Sequence, residues 1–266
     1  MPKQIQKVFG ASDLRISVPG RVLVDDLSFE AAAGDFIAIL GQNGCGKSLT
    51  MMTLAGLRRA DTGVVSLSDS PLSAMPRQAI ARSLALLPQH SDDMFPASVM
   101  DTVMTGRHPH IGRFSWESAE DIAIAKAALQ RTGIDELADR DVMTLSGGER
   151  RRLAIAQILT QQPAVFLLDE PTNHLDPQHQ IEALEIFRSK ADKDAVVIAS
   201  LHDANLAARY ADRCLLLYGD GHWDLGATHD ILDAQRLTRL YETPIEAVPW
   251  RAGMLFVASG SGAQST

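Results

Sequence analysis

Eight consecutive residues near the start of the chain combine three glycines with a lysine and a serine. The segment reads Gly41-Gln42-Asn43-Gly44-Cys45-Gly46-Lys47-Ser48 and lies between the apolar run 36–40 and a helix-favouring stretch, 49–57. The glycines allow successive backbone N–H groups to point inward toward phosphate oxygens, and a following helix adds the positive end of its dipole. Lys47 would then reach the β- and γ-phosphates, and the Ser48 hydroxyl would ligate Mg²⁺. The alternative is a glycine-rich turn that ends in a basic residue.

Two adjacent carboxylates, Asp169 and Glu170, follow the apolar run 165–168. A carboxylate at the C-terminal end of a buried parallel strand lies at the edge of the sheet that binds ligands. Beside a phosphate-binding loop, Asp169 would hold the Mg²⁺ that bridges the β- and γ-phosphates. Glu170 would polarise the attacking water as a general base. A solvated acidic pair at a strand end is the alternative interpretation.

A second candidate anion site begins at Leu145-Ser146-Gly147-Gly148-Glu149. A serine cap followed by glycines leaves backbone donors free at the start of a helix, where the dipole also favours an anion. Because the chain already has one phosphate-binding loop, a second anion site suggests a nucleotide shared between two chains. Ser146 and Glu149 also have the spacing of a capping box, so an ordinary helix cap is the alternative.

The elements between these motifs alternate between strand and helix. Apolar runs predict buried strands at 36–40, 83–87, 165–168 and 195–200. Further strands are predicted at 14–17, 22–30 and 64–67, and hairpins within 214–225 and 245–257. Apolar periodicity predicts helices at 49–56, 76–83, 117–133, 148–159, 177–190 and 203–210. This order predicts the α/β fold of a P-loop NTPase, with a three-layer core, a mainly parallel sheet and an antiparallel β subdomain.

The stretch from about residue 91 to residue 143 differs in character from its surroundings, and it predicts a helical insertion. We therefore predict a single domain at 1–258, in which a core at about 1–90 and 144–258 is interrupted by a helical subdomain at about 91–143. The small polar residues at 259–266 predict a disordered tail.

Composition restricts the partners of this domain. A net charge of −8 at pH 7 argues against nucleic-acid binding, which requires a basic surface. Two cysteines provide no disulfide framework and fit a reducing compartment. Because no apolar run approaches the length of about 18 residues that a membrane span needs, we expect a soluble chain whose membrane role, if it has one, comes through a partner.

The motifs, in their order and spacing, resemble those of the ATP-binding subunits of ABC transporters over nearly the whole chain. Residues 41–48 resemble the Walker A motif, 145–149 the family's signature sequence, and 165–169 the Walker B motif, with Glu170 in the place of the catalytic glutamate. The remaining matches are Pro88-Gln89 with the Q-loop, Asn173-His174-Leu175-Asp176 with the D-loop region, and His202 with the switch histidine.

The resemblance implies a mechanism in which two chains pack head to tail and hold each ATP between them. One chain would contribute its Walker A residues, and the other chain would contribute its signature residues Ser146, Gly147 and Gly148, of which Ser146 and Gly148 would contact the γ-phosphate. His202 would contact the γ-phosphate in the same chain as the Walker A motif, and Asp176 would couple the two sites. The nucleotide-binding residues implied within one chain are Gly41, Asn43, Gly44, Cys45, Gly46, Lys47, Ser48 and Leu49. The implied Mg²⁺ ligands are Ser48, Gln89 and Asp169, and Gln89 would also sense the attacking water.

Four further segments, 106–110, 176–180, 202–212 and 237–241, resemble importers of iron–siderophore, haem and cobalamin complexes. In such importers two identical ATPases work with integral membrane permease subunits and a periplasmic substrate-binding protein. The resemblance implies a location on the cytoplasmic face of the inner membrane, with the permease docked between Gln89 and Met104. A ferric siderophore is the favoured substrate, with haem and cobalamin as alternatives. A soluble ABC ATPase that acts on nucleic acid or ribosomes is the alternative of another class.

Two positions in the expected nucleotide site are unusual. Val18 occupies the turn where many family members place an aromatic residue against adenine, so we expect weak stacking and loose nucleotide choice. Cys45 lies in the phosphate-binding loop at a helix N-terminus, where the pKa of a thiol tends to fall. It is interpreted either as a small residue that fits the loop, which we favour, or as a reactive thiol.

Overall fold

The computed structural model describes residues 7–89, 96–112, 115–251 and 253–259. The predicted disordered tail at 259–266 lies outside the described residues except for Ser259, and so do residues 91–95 of the predicted insertion.

Helices and strands alternate along most of this chain. The strands are β1 (Lys7–Val18), β2 (Arg21–Ala32), β3 (Phe36–Leu40), β4 (Thr62–Leu67), β5 (Ser70–Pro71), β6 (Leu84–Leu87), β7 (Val165–Leu168), β8 (Val196–Ser200), β9 (Arg213–Leu217), β10 (Trp223–Ala227), β11 (Ile245–Trp250) and β12 (Gly253–Ala258). The α-helices are α1 (Lys47–Leu54), α2 (Arg77–Ser83), α3 (Val99–Met104), α4 (Ala119–Arg131), α5 (Gly147–Gln161), α6 (Pro177–Ala191), α7 (Ala204–Tyr210), α8 (Thr228–Ile231) and α9 (Ala234–Tyr241). Short 3₁₀ helices occur at Leu72–Ala74, Thr105–Arg107, Asp135–Leu137 and Val142–Thr144.

A six-stranded sheet in the order β10-β9-β3-β8-β7-β6 forms the centre of the fold. Neighbours from β9 to β6 are parallel, and β10 is antiparallel to β9. The strands predicted at 36–40 and 165–168 have the bounds of β3 and β7, and those predicted at 83–87 and 195–200 begin one residue later, as β6 and β8. The prediction of a mainly parallel sheet is therefore confirmed.

Successive residues of the central strands face opposite apolar layers. Phe36, Ala38 and Leu40 of β3 belong to a cluster that includes buried side chains of α5, α6 and α7. Ile37 and Ile39 belong to a second cluster, which includes α1 and the antiparallel sheet. Because both faces of β3 are covered, all five of its residues are buried. The three-layer prediction is confirmed in this arrangement.

The antiparallel sheet has the order β2-β1-β4-β5, and its first two strands are longer than predicted. The register between β1 and β2 shifts next to Asp13. Asp13 and Asp26 have left-handed φ angles of 52° and 55°. Such irregularities interrupt the alternation of apolar and polar residues. The predictions at 14–17 and 22–30 therefore captured only part of each strand.

Arg107, in the short 3₁₀ helix after α3, connects helix α4 to the end of α5. The Arg107 side chain is buried, and its Nε lies 2.7 Å from Asp121 Oδ1 at the start of α4. Its Nη1 donates to Thr160 O (3.0 Å) and Gln162 Oε1 (3.1 Å) at the end of α5. The helical predictions at 117–133 and 148–159 are confirmed by α4 and α5. The division into a core and a helical subdomain at 91–143 stays a prediction.

Within the described part of the chain, no helix combines the length and the hydropathy that crossing a bilayer requires.

Gly106 allows the close approach between these helices and α5, and its replacement tests that contact. A Cβ at position 106 would lie 2.3 Å from Gln157 O on α5, whereas a Cβ at Gly253 would meet nothing within 4 Å. We expect Gly106→Ala to lower the free energy of unfolding by about 1–3 kcal/mol, since it overpacks a close backbone contact. Gly253→Ala is the control, and both are measured by urea denaturation. Equal stability of the two variants would contradict this packing.

Candidate functional site

Side chains from distant parts of the sequence meet around a cavity of about 520 Å³ at the carboxyl edge of the central sheet. The predicted site residues that line it are Asn43, Gly44, Gly46, Lys47, Ser48, Leu49, Gln89, Glu170 and His202. Val18, Arg21, Leu23 and Asn173 also line it. The predicted residues outside its lining are Gly41, Cys45, Ser146, Gly147, Gly148, Asp169 and Asp176.

The glycine loop after β3 has a geometry that suits phosphate. Gly44 and Gly46 have left-handed φ angles of 78° and 110°, a backbone conformation that residues with a Cβ rarely adopt. Helix α1 begins directly after Gly46 without a side-chain cap and without an acidic residue in its first turn. The free N–H groups and the dipole of this helix therefore remain available to an anion. Lys47 is buried, and its Nζ donates to Gly41 O (2.8 Å) and Gln42 O (3.1 Å).

The Glu170 carboxylate lies at the centre of the site and is 4% exposed. Gln89 Nε2 donates to Glu170 Oε2 at 2.7 Å, and His202 Nε2 lies 2.6 Å from Glu170 Oε1. Asn173 Nδ2 also donates to Glu170 Oε2. The structure thus brings together the three side chains predicted to act in catalysis, Glu170, His202 and Gln89. Asn173 was part of the D-loop match, but its contact with the glutamate was not predicted.

Asp169 and Glu170 are joined by a serine that the sequence analysis missed. Ser200 Oγ donates to Asp169 Oδ1 at 2.6 Å and accepts a hydrogen bond from the Glu170 N–H at 2.8 Å. Both Asp169 and Ser200 are buried. The available signal was a polar residue at the end of the otherwise apolar strand β8, next to the strand that carries the carboxylates.

The signature residues begin α5 as a capped helix. Ser146 Oγ accepts a hydrogen bond from Glu149 N (3.3 Å), and Glu149 Oε2 accepts one from Ser146 N (2.7 Å). The hydrogen bonds from Ser146 lower the pKa of the Glu149 carboxyl. Within one chain the capping box is therefore formed, and contact of Ser146, Gly147 and Gly148 with a partner's nucleotide stays a prediction.

Asp176 lies at the N-terminus of α6 rather than at the cavity. Its Oδ1 accepts a hydrogen bond from His179 N at 3.0 Å and lies 2.9 Å from His179 Nδ1. The bond from the backbone N–H of His179 is the main reason that the pKa of the Asp176 carboxyl is lowered. The coupling role implied for Asp176 is not tested by these contacts. The expected weak stacking at Val18, which lines the cavity beside Arg21, also stays a prediction.

The Cys45 thiol packs into the apolar layer beneath the glycine loop. Cys45 is 2% exposed, and a Cβ on Gly41 would lie 2.5 Å from its Sγ. Burial raises the pKa of the Cys45 thiol, with the nearby Lys47 opposing the shift. The fall in pKa expected at a helix N-terminus is therefore wrong here, because desolvation of the thiolate is the larger effect. The structure favours the interpretation of Cys45 as a small residue that fits the loop.

Comparisons with known proteins show what this chain is similar to. A family described as ABC transporter matches residues 24–173. The petrobactin import ATP-binding protein FpuD of Bacillus anthracis is 33% identical over 261 residues, which cover 97% of this chain and 96% of that protein. The hemin import ATP-binding protein HmuV of Deinococcus radiodurans is 42% identical over 216 residues, which cover 79% of this chain and 80% of that protein.

A longer relative and a solved structure extend the similarity. The cobalamin import ATP-binding protein BtuD of Halobacterium salinarum is 37% identical over 234 residues, 87% of this chain, but the chain spans only 58% of that protein's length. A structure described as an inward-facing conformation of a metal-chelate type ABC transporter aligns with a TM-score of 0.83 at 29% identity. That alignment covers 96% of this chain and 98% of the matched chain.

The position of Cys45 predicts slow reaction with maleimide in the folded protein. Cys214 is also buried, and burial raises the pKa of its thiol to about 11, so a Cys214→Ala variant isolates the behaviour of Cys45. We expect Cys45 to react slowly at pH 7 both with and without ATP, and to react fully in urea, as followed by mass spectrometry. Rapid reaction that ATP prevents would contradict the buried position and restore the interpretation of a reactive thiol.

Proposed function

Since the chain belongs to the ABC transporter family of ATP-binding proteins, we propose that it hydrolyses ATP to power the uptake of an iron complex through a separate membrane permease. The observation that carries the proposal is the Glu170 carboxylate, which Gln89 and His202 contact beside the cavity lined by Lys47 and Ser48. A general base, two polar side chains that orient it and a phosphate-binding loop are the components that water attack on a γ-phosphate requires.

Each group of residues in the nucleotide site is assigned a role in ATP binding or hydrolysis. The N–H groups of the glycine loop and the start of α1 bind the phosphates, and Lys47 neutralises their charge. Glu170 orients and polarises the attacking water, while Gln89 and His202 hold its carboxylate through the two contacts described above. We assign His202, whose side chain is 43% exposed, to contact the γ-phosphate in the same chain.

Magnesium fits the oxygen donors at the edge of the sheet. The Ser48 hydroxyl, the Asp169 carboxylate and the Gln89 side-chain amide are the kinds of ligand that Mg²⁺ takes in nucleotide sites. Ser48 and Gln89 line the cavity, and Asp169 lies at the end of the neighbouring strand β7 with its carboxylate fixed by Ser200. When bound, Mg²⁺ supplies positive charge to the β- and γ-phosphates.

We assign the remaining signature residues to a second copy of the chain. In this arrangement two copies pack head to tail, and Ser146, Gly147 and Gly148 of one copy complete the nucleotide site of the other. Asp176 lies at the interface and couples the two sites. The segment between Gln89 and Met104 receives the integral membrane permease, which holds the protein at the cytoplasmic face of the membrane and works with a substrate-binding protein.

The substrate is assigned by likeness to relatives. The names of the relatives above refer to petrobactin, hemin and cobalamin, and they support the importer class without separating its substrates. We favour a ferric siderophore, with haem and cobalamin as alternatives. The acidic charge of the chain, −8 at pH 7, disfavours the alternative of an ATPase that acts on nucleic acid or ribosomes.

Replacement of the general base separates nucleotide binding from hydrolysis. We expect Glu170→Gln to lower the ATPase rate by about 100-fold or more, because an amide cannot accept the proton of the attacking water. ATP binding should be retained, and the closed dimer should accumulate in size-exclusion chromatography with ATP. Glu117→Gln, at an exposed position before α4, is the control. Wild-type turnover in Glu170→Gln would refute the assignment of the base.

Uptake in a strain that lacks this chain tests the proposed function directly. Labelled ferric siderophore, haem and cobalamin are compared, with complementation by the wild-type chain or by Lys47→Ala. We expect loss of uptake of one iron complex, restored by the wild type but not by the variant, because Lys47 is needed for phosphate binding. Unchanged uptake of all three compounds would contradict the importer assignment, whereas loss of cobalamin uptake alone would change the assigned substrate to cobalamin.

A further inference from the structure

Helix α5 carries a buried arginine whose guanidinium reaches the loops that hold the catalytic side chains. Arg151 is 6% exposed and lies four residues after Gly147, the first residue of the helix. It belongs to the run Arg150-Arg151-Arg152, in which sequence analysis gave no reason to single it out. In the structure Arg150 is exposed, whereas Arg151 points into the interior beside β7.

The guanidinium of Arg151 donates hydrogen bonds to four backbone carbonyls from two separate loops. Nη1 donates to Pro88 O at 2.7 Å, in the loop after β6. Nη2 donates to Asp169 O at 2.6 Å and Glu170 O at 2.7 Å, and Nε donates to Pro171 O at 3.3 Å, all in the loop after β7. A planar guanidinium with donors in fixed directions therefore sets the spacing of the two loops.

The chemistry of this contact is unusual for a buried cation. Among the described residues, the hydrogen bonds of Arg151 all go to main-chain carbonyls. The guanidinium therefore does not occupy the carboxylates of Asp169 and Glu170, which the side chains described above contact. Burial lowers the pKa of Arg151 to about 10, although the charges of both carboxylates oppose the shift. The guanidinium is therefore protonated at neutral pH. In each of its hydrogen bonds to the loop backbones the guanidinium is the donor and the carbonyl is the acceptor.

The two loops position Gln89 and Glu170, whose side chains meet at 2.7 Å. Gln89 directly follows Pro88, and Glu170 is itself one of the residues whose carbonyl Arg151 binds. Arg151 also lies about one helical turn from the start of α5, where Ser146 and Gly148 are located. The Arg151 side chain is therefore hydrogen-bonded to the backbone of the two loops that carry Gln89 and Glu170. The same residue belongs to helix α5, which the signature residues begin.

We infer that Arg151 is a positioning residue for ATP hydrolysis, which holds Gln89 and Glu170 in register and ties them to the signature helix of the same chain. The inference rests on the proposed function and deepens it. Arg151 would connect Gln89 and Glu170, which act on this chain's nucleotide, to the signature residues at the start of α5, which are assigned to the partner's nucleotide. Arg151 itself lines no part of the nucleotide cavity.

Kinetics of the full-length chain with MgATP test this role. We expect Arg151→Met to lower kcat by about 10- to 100-fold while changing the Kd for MgATP by no more than about twofold, since it misaligns the base without touching the cavity. Arg151→Lys keeps the charge but not the planar fork, and its kcat should be intermediate. Arg77→Met is the control, because its Nη1 also donates to a carbonyl, Gly56 O at 2.9 Å, away from the site.

Chemical rescue separates positioning from a general loss of folding. In Arg151→Ala, we expect millimolar methylguanidinium to restore part of kcat, because the ion can occupy the space between the carbonyls. Arg77→Ala should show no such response. Thermal unfolding of each variant, monitored by circular dichroism, confirms which preparations are folded, and Arg151→Lys provides the kinetic test if the other variants do not fold.

The outcomes distinguish this inference from the proposed function. Folded Arg151→Met and Arg151→Lys with wild-type kcat would overturn the positioning role alone. The role would also be overturned if kcat were lost only in proportion to the folded fraction and methylguanidinium restored nothing. A wild-type chain without ATPase activity would overturn the proposed function, and this inference with it.

Discussion

The buried Glu170 carboxylate imposes the strictest requirement on the structure around it. A carboxylate that is 4% exposed must be supplied with hydrogen-bond donors, because its burial without them costs several kcal/mol. Gln89, Asn173 and His202 contact it from three different loops. Its own backbone has a φ of 52°, a conformation that is unfavourable for a glutamate and is held here by hydrogen bonds to its N–H and its carbonyl. The loops of the site therefore depend on one another for their positions.

The order of the strands makes this convergence possible. β3, β8 and β7 are neighbours and run in parallel, so the segments that follow them emerge at the same edge of the sheet. The glycine loop follows β3, Asp169 and Glu170 follow β7, and His202 follows β8. Residues separated by more than 100 positions in the sequence, such as Lys47 and Glu170, thereby line one cavity, while apolar layers on both faces of the sheet hold the strands in place.

Sequence reasoning succeeded where a single physical signal was strong. The bounds of β3 and β7 were predicted because fully buried parallel strands are continuous apolar runs. The location of Asp169 and Glu170 at the ligand-binding edge followed from the rule for carboxyl ends of parallel strands, whereas His202 was assigned through the resemblance to the family's motifs. Hydrogen bonds made by Ser200 and Arg151 were missed, because polar residues at buried positions carry no periodic signal. A helix N-terminus by itself favours a lowered thiol pKa, but burial raises the pKa of Cys45, and the depth of this residue beneath the loop is a tertiary property.

The capping box at the start of α5 is compatible with a second role for the same serine. A hydroxyl offers one donor and two acceptor lone pairs. In the capping box Ser146 Oγ acts as an acceptor, from Glu149 N at 3.3 Å, and the serine side chain also donates to the Glu149 carboxylate, which helps to lower the pKa of that carboxyl. To serve a phosphate oxygen, which can only accept, that O–H would have to turn from the Glu149 carboxylate toward the nucleotide. Glu149, in turn, binds the Ser146 N–H and fixes the serine at the helix N-terminus, where the helix dipole adds to the attraction for an anion. The cap within one chain and the anion site proposed between two chains therefore do not exclude one another, because the cap holds the serine at the helix N-terminus, where a second chain's nucleotide would need a donor.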